Sequence, residues 1–135
     1  MNAPDRYERF VVPEHAQKVT REIDTKVRHA ATFVIEREDH TVGNIVRMQL
    51  HRDPNVIFAG YKVPHPLEYK LLIKVQTKGG QPPQGGEPPQ ALMNALTDLT
   101  AELDSIGTQF QEAVAAVRPQ LGEPTSPMAV VPDYQ

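Results

Sequence analysis

A chain of 135 residues is long enough for one domain with a buried core. Its net charge of −3, from 14 basic and 17 acidic residues, argues against a dedicated nucleic-acid binder, which shows a basic excess on one face. The absence of cysteine removes any disulfide framework or thiolate metal site, and no apolar run reaches the ~18 residues that a membrane span requires.

The ends and one loop hold most of the 13 prolines, so the composition predicts a core of about 100 residues with poorly ordered flanks. Residues 1–10 have charges mixed in and lack the apolar stretch of a signal peptide. Residues 1–17 form a mixed segment, with Tyr7, Phe10, Val11 and Val12 among charges, and Pro4 and Pro13 limit regular structure. Such an arm docks either on a partner or on its own domain. Residues 18–23 alternate Val19, Arg21 and Ile23 with Lys18, Thr20 and Glu22, which predicts a half-buried edge strand. Residues 30–36 give a second strand, with Ala31, Phe33 and Ile35 on one face.

A short helix follows. Asp39 and Thr41 are both good N-cap residues, and Pro54 sets its far limit. Glu38 and Asp39 put negative charge at the positive end of its dipole. At ~100° per residue, Val42, Ile45, Val46, Met48 and Leu50 cover an arc of roughly 200°, about twice what packing on one sheet needs. The helix is therefore either enclosed in one core or faces a second body. Gln49 lies inside the arc and needs a partner if buried. Gly43 in the first turn costs up to ~1 kcal/mol against alanine, and close approach of another backbone would offset it.

Residues 56–63 are apolar on both faces as far as Gly60, as expected of a strand covered on two sides. Pro64 and Pro66 break it, and residues 68–77 alternate Tyr69, Leu71, Ile73 and Val75 with Lys70, Leu72, Lys74 and Gln76. The Gly/Pro/Gln-rich residues 79–90 read as a flexible connector. A long helix is predicted over residues 89–118. Leu92, Leu96, Leu99, Leu103, Ile106, Phe110, Ala113 and Val117 form an a/d seam along it. At roughly 40 Å it outruns a four-stranded sheet about 20–30 Å long, so part of the seam needs another surface. Pro119 ends the helix, and residues 119–135 read as a disordered tail.

His40, His51 and His65 stand near Glu36, Glu38, Asp39 and Asp53, but no histidine pair has metal-ligand spacing. His40 reads as a capping-region side chain and His65 as a turn residue. The competing chemical reading is a small α+β enzyme using His40 with Glu38 or Asp39. Neither glycine pair, 79–80 or 85–86, sits between strand and helix as a phosphate loop would.

Two segments carry a resemblance. Glu36-Arg37-Glu38-Asp39-His40-Thr41-Val42-Gly43-Asn44, and Phe58-Ala59-Gly60-Tyr61-Lys62-Val63-Pro64-His65-Pro66, resemble the small alpha-like subunits of eukaryotic and archaeal RNA polymerases. The start at Asn2-Ala3-Pro4-Asp5-Arg6 and the Phe10 region resemble the RNA polymerase II version. The likeness spans about residues 1–118; the 79–90 loop is longer than the usual pattern, and the tail does not match. It implies an α+β fold: a four-stranded, mostly antiparallel sheet with one short helix and one long C-terminal helix on one face. Residues 1–17 would be a docking arm and 18–118 the dimerisation domain. It implies a non-catalytic, cofactor-free, nuclear assembly subunit that pairs with a larger alpha-like subunit and supports the second-largest subunit. By the same resemblance, Val42, Ile45, Val46, Gln49, Leu50, Leu92, Leu96, Leu99, Leu103, Ile106, Phe110 and Val117 form the pairing surface. A homodimer through the seam remains the alternative scaffold.

Overall fold

The computed structural model describes residues 3–80 and 86–121. Residues 81–85 of the predicted connector and 122–135 of the predicted tail lie outside the described residues. The elements are a 3₁₀ turn (Arg6–Arg9), β1 (Val19–Ile23), β2 (Ala30–Glu36), α1 (His40–Arg52), β3 (Val56–Lys62), β4 (Lys70–Thr77) and α2 (Pro88–Val117). A second 3₁₀ turn, Arg118–Leu121, follows α2, so Pro119 tightens the chain instead of ending all helical structure. Two compact units are present, Met1–Leu99 and Thr100–Gln135.

The first unit is an α+β arrangement around one antiparallel sheet of order β1-β2-β4-β3. β2 and β3 both run antiparallel to β4, so α1 is the crossover between two parallel strands that flank a third. The period-two pattern of β2 and β4 sets the core. Phe33, Ile35, Leu71, Ile73 and Val75 are buried on one face, beneath α1 and the start of α2. Val46 and Leu50 of α1, with Ala91, Leu92 and Ala95 of α2, complete that core.

Both edge strands differ from expectation. β1 is at an edge as predicted, but all five of its residues are exposed. It pairs with β2 alone, whereas α1 packs over β3 and β4. β3 is not covered on two sides: it is the other edge, and Ile57 and Phe58 are exposed. A register shift between Val56 and Phe58 puts an extra residue into the strand, which locally breaks its alternation.

Gly43 is buried where α1 crosses β3. A methyl there would meet the Tyr61 ring at 2.6 Å and Leu71 Cδ1 at 2.9 Å. The close approach is thus made by an aromatic side chain, not by a second backbone. Tyr61 cannot readily swing away, because its hydroxyl shares a 3.0 Å hydrogen bond with His40 Nδ1.

The N-terminal arm is tied to its own unit around Arg37 and Tyr69. Arg37, in the left-handed region at φ 58°, donates from Nη1 to the Glu8 carbonyl and from its backbone N–H to Tyr69 O at 2.6 Å. The guanidinium groups of Arg9 and Arg37 lie 6.0 and 5.8 Å from the Tyr69 ring centroid, within cation–π range. Tyr7, Phe10 and Val11 stay exposed.

On the open sheet face Lys74 Nζ donates to Asp24 Oδ2 at 2.6 Å, and the Lys26 and Val27 backbone N–H groups donate to Asp24 Oδ1. The Lys74 hydrogen bond, then those two N–H groups, lower the Asp24 pKa from 3.8 to about 2.

Two outcomes are expected. Gly43→Ala should lower stability by about 1–2 kcal/mol in chemical denaturation, because overpacking outweighs the propensity gain. The depressed Asp24 pKa stabilises the fold above pH ~4, and that contribution is lost as pH falls towards about 2. Asp24→Asn should therefore flatten the stability–pH curve in that window, measured by urea unfolding at stepped pH.

Candidate partner-docking surface

α1 starts where its sequence says it should. Asp39 Oδ1 accepts from the Thr41 backbone N–H at 2.9 Å, and this bond, with one from the Thr41 hydroxyl, holds the Asp39 carboxyl below its usual range. The wide apolar arc then divides. Val46 and Leu50 are fully buried and Val42 is half-buried. Ile45 and Met48 are 40% and 51% exposed. Gln49 is half-buried; its Nε2 lies 3.5 Å from Asp98 Oδ2, and its Oε1 accepts from Arg52 Nη1 at 3.1 Å.

α2 starts at Pro88, where proline suits the first turn because its missing N–H would have no helical acceptor. Glu87 O accepts from the Gln90 and Ala91 N–H groups. Glu87 also meets the His29 ring, Nδ1 to Oε1 3.2 Å, which ties the helix start to the β1–β2 connection. Ala91, Leu92 and Ala95 are buried and Leu99 is half-buried, while Met93 and Leu96 are exposed.

In the unit that begins at Thr100, Leu103 and Phe110 are 60% and 65% exposed, and Ile106 and Val117 are exposed too. Spacings of three and four put Leu103, Ile106 and Phe110 on one stripe of the helix.

Of the residues expected at the pairing surface, Val46, Leu50 and Leu92 are buried in the chain's own core. Val42, Gln49 and Leu99 are half-buried; Ile45, Leu96, Leu103, Ile106, Phe110 and Val117 are exposed. Met48 and Met93, outside that set, are exposed as well. Met48 lies inside the α1 arc, so the sequence carries a signal for it; Met93 lies off the seam and has none.

The motif residues have separate tasks. Glu38 pairs with Lys18 at 2.6 Å, Asp39 caps α1, and His40 bonds to Tyr61, so neither acid is paired with His40 as a catalytic dyad would be. Asn44 Oδ1 accepts from Arg47 Nη2 at 2.9 Å. His65 Nδ1 accepts from the Leu67 backbone N–H at 3.1 Å, as a turn residue would. Phe58, Lys62 and Pro66 are exposed, and Gly60 lies beneath the Phe58 ring. Among the described residues no group of three or more His, Asp or Glu side chains could hold a metal ion, and no helix is long and apolar enough to cross a membrane.

Residues 30–109 match a family model described as the RNA polymerase Rpb3/Rpb11 dimerisation domain. The chain is 44% identical over 118 residues to DNA-directed RNA polymerase II subunit rpb11 of Dictyostelium discoideum, covering 87% of this chain and 94% of that protein. It is 46% identical over 114 residues to the probable RPB11 subunit of Caenorhabditis briggsae, covering 84% and 88%. Against the Schizosaccharomyces pombe RPB11 subunit the identity is 40% over 110 residues, covering 82% and 85%. The fold is similar to the crystal structure of DNA-directed RNA polymerase subunit L from Thermoplasma acidophilum, with TM-score 0.60, 22% identity, and coverage of 76% and 96%.

Substitutions should separate the two classes of apolar residue. Ile106→Ser and Phe110→Ser should change unfolding free energy by no more than about 0.5 kcal/mol, as at other exposed positions. Leu50→Ala should cost about 2–5 kcal/mol. Equilibrium denaturation of the three variants reads the contrast.

Proposed function

This chain belongs to the RNA polymerase Rpb3/Rpb11 dimerisation-domain family, and from that premise we propose that it pairs with a larger alpha-like subunit within RNA polymerase II. It is an assembly subunit of that enzyme. Its work is to present surface, and it supplies no reacting group. The observation that carries this reading is the run of exposed large apolar side chains on its helices, Ile45, Met48 and Leu96 in the first unit and Leu103, Ile106 and Phe110 in the second. Soluble monomers seldom leave apolar patches of this kind uncovered.

A hydrophobic patch alone does not choose between a second copy and a different chain. The relatives' names, all RNA polymerase II subunits, favour a different chain from the same enzyme. The pair then forms a platform for the second-largest subunit, and the protein works in the nucleus. The enzyme alternative loses support from the His40–Tyr61 bond, because it gives the histidine a structural partner.

The test is co-expression with the larger alpha-like subunit and measurement of pairing. Leu103→Asp should weaken pairing by roughly 30-fold or more, the effect of a lost central contact worth about 2 kcal/mol. The same variant should unfold like wild type, since Leu103 is exposed. Undiminished pairing by Leu103→Asp, or equal self-pairing without the larger subunit, would overturn the reading. Deleting residues 122–135 should leave pairing unchanged.

A further inference from the structure

The family motif brings one more surface together. An open groove of about 670 Å³ lies between α1 and the end of β3. His40 and Arg47 line it from α1, and Lys62, Val63 and Pro66 from β3 and the following turn; Gly60 and Tyr61 contribute as well. No carboxylate lines this groove, although the chain as a whole carries a net charge of −3. The neighbouring groove between α1 and α2 is lined by both Asp53 and Asp98.

The cations here are available. Among the described residues the Lys62 ammonium has no hydrogen-bond or ion-pair partner, and the Arg47 guanidinium bonds only to the neutral amide of Asn44. The groove is also well built. Tyr61 is held from one side by His40 and from beneath by the space at Gly43, so it forms a fixed aromatic wall. At ~100° per residue, His40 and Arg47 lie about 140–160° around α1 from Ile45. A partner seated on Ile45 therefore leaves this flank of the helix open.

We propose that this groove docks an extended acidic segment of a second polypeptide in the polymerase, other than the one that covers Ile45. One carboxylate sits between the Arg47 guanidinium and the Lys62 ammonium, and a neighbouring apolar side chain lies against Val63 and Pro66. Arginine's planar fork suits a carboxylate, and the charge-assisted bonds gain from the partly apolar walls. A nucleic-acid backbone fits less well: two fixed cations on an acidic chain give little counterion release, and phosphates gain nothing from Val63 and Pro66.

The test uses the assembled RNA polymerase and rests on the membership proposed above. Zero-length carbodiimide coupling joins a lysine amine to a carboxylate it touches, and peptide mass spectrometry then maps the bond. The expected product links Lys62 to an Asp or Glu of a different subunit, and acetylation of Lys62 by N-hydroxysuccinimidyl acetate falls at least fivefold on assembly. Lys62→Gln should remove that link, and Arg47→Glu with Lys62→Glu should reduce retention of the linked subunit while pairing with the larger alpha-like chain persists. If Lys62 in the assembled enzyme is acetylated as fast as in the heterodimer, or is protected only by nucleic acid, the proposal falls. A chain absent from the purified polymerase would overturn the assembly reading as well, whereas a chain present with Lys62 open overturns this inference alone.

Discussion

The contact between Gly43 and the Tyr61 ring is what places α1, and the placement of α1 decides which residues remain for others to touch. A glycine hydrogen lets the helix come down onto β3 at a distance where a methyl would meet the ring at 2.6 Å. The His40–Tyr61 hydrogen bond then holds the ring from the side. With α1 fixed there, Val46 and Leu50 reach the sheet and close the core over Leu71 and Ile73. Ile45 is turned to one flank of the helix, and His40 and Arg47 to the other. A short helix thereby serves a core and two outward faces.

The core and the outward apolar residues are held by the same force but settled at different stages. Burying a Leu, Ile or Phe side chain is worth about 1.5–3 kcal/mol. The residues beneath α1 and the start of α2 gain that on folding of the single chain. Ile45, Met48, Leu96, Leu103, Ile106 and Phe110 keep much of their surface in water, so folding of the single chain leaves most of that gain unrealised. Such a chain has a fold of its own and an unfinished surface, which is the condition an assembly subunit must meet if it is to bind tightly without unfolding first.

How much of this could be read from the sequence depends on how local the cause is. The strands β2 and β4 and the helix α1 follow from side-chain period and from the Asp39 cap, both of which act within a few residues. The surplus arc on α1 and the seam on α2 were legible for the same reason. Strand order is not local, so nothing in Val56–Lys62 announced that β3 lies at an edge with Ile57 and Phe58 exposed. Nor could spacing tell that Val46, Leu50 and Leu92 fall on the core side of their helices while Ile45 and Leu96 do not; that depends on where the sheet lies. The tie from Arg37 to the N-terminal arm was hidden as well, since it needs a positive φ at a residue with no turn signature. The motif residues are legible in the sequence, but the groove that His40, Arg47 and Lys62 share forms only when α1 and β3 meet.

Sedimentation velocity offers the most direct measurement on the unfinished surface, comparing the purified chain alone with the chain mixed with the larger alpha-like subunit. Alone at micromolar concentration, it should give broad, concentration-dependent boundaries above the 15.1 kDa monomer. With the partner it should collapse to one sharp 1:1 species. A single, concentration-independent monomer that ignores the larger subunit would contradict the account.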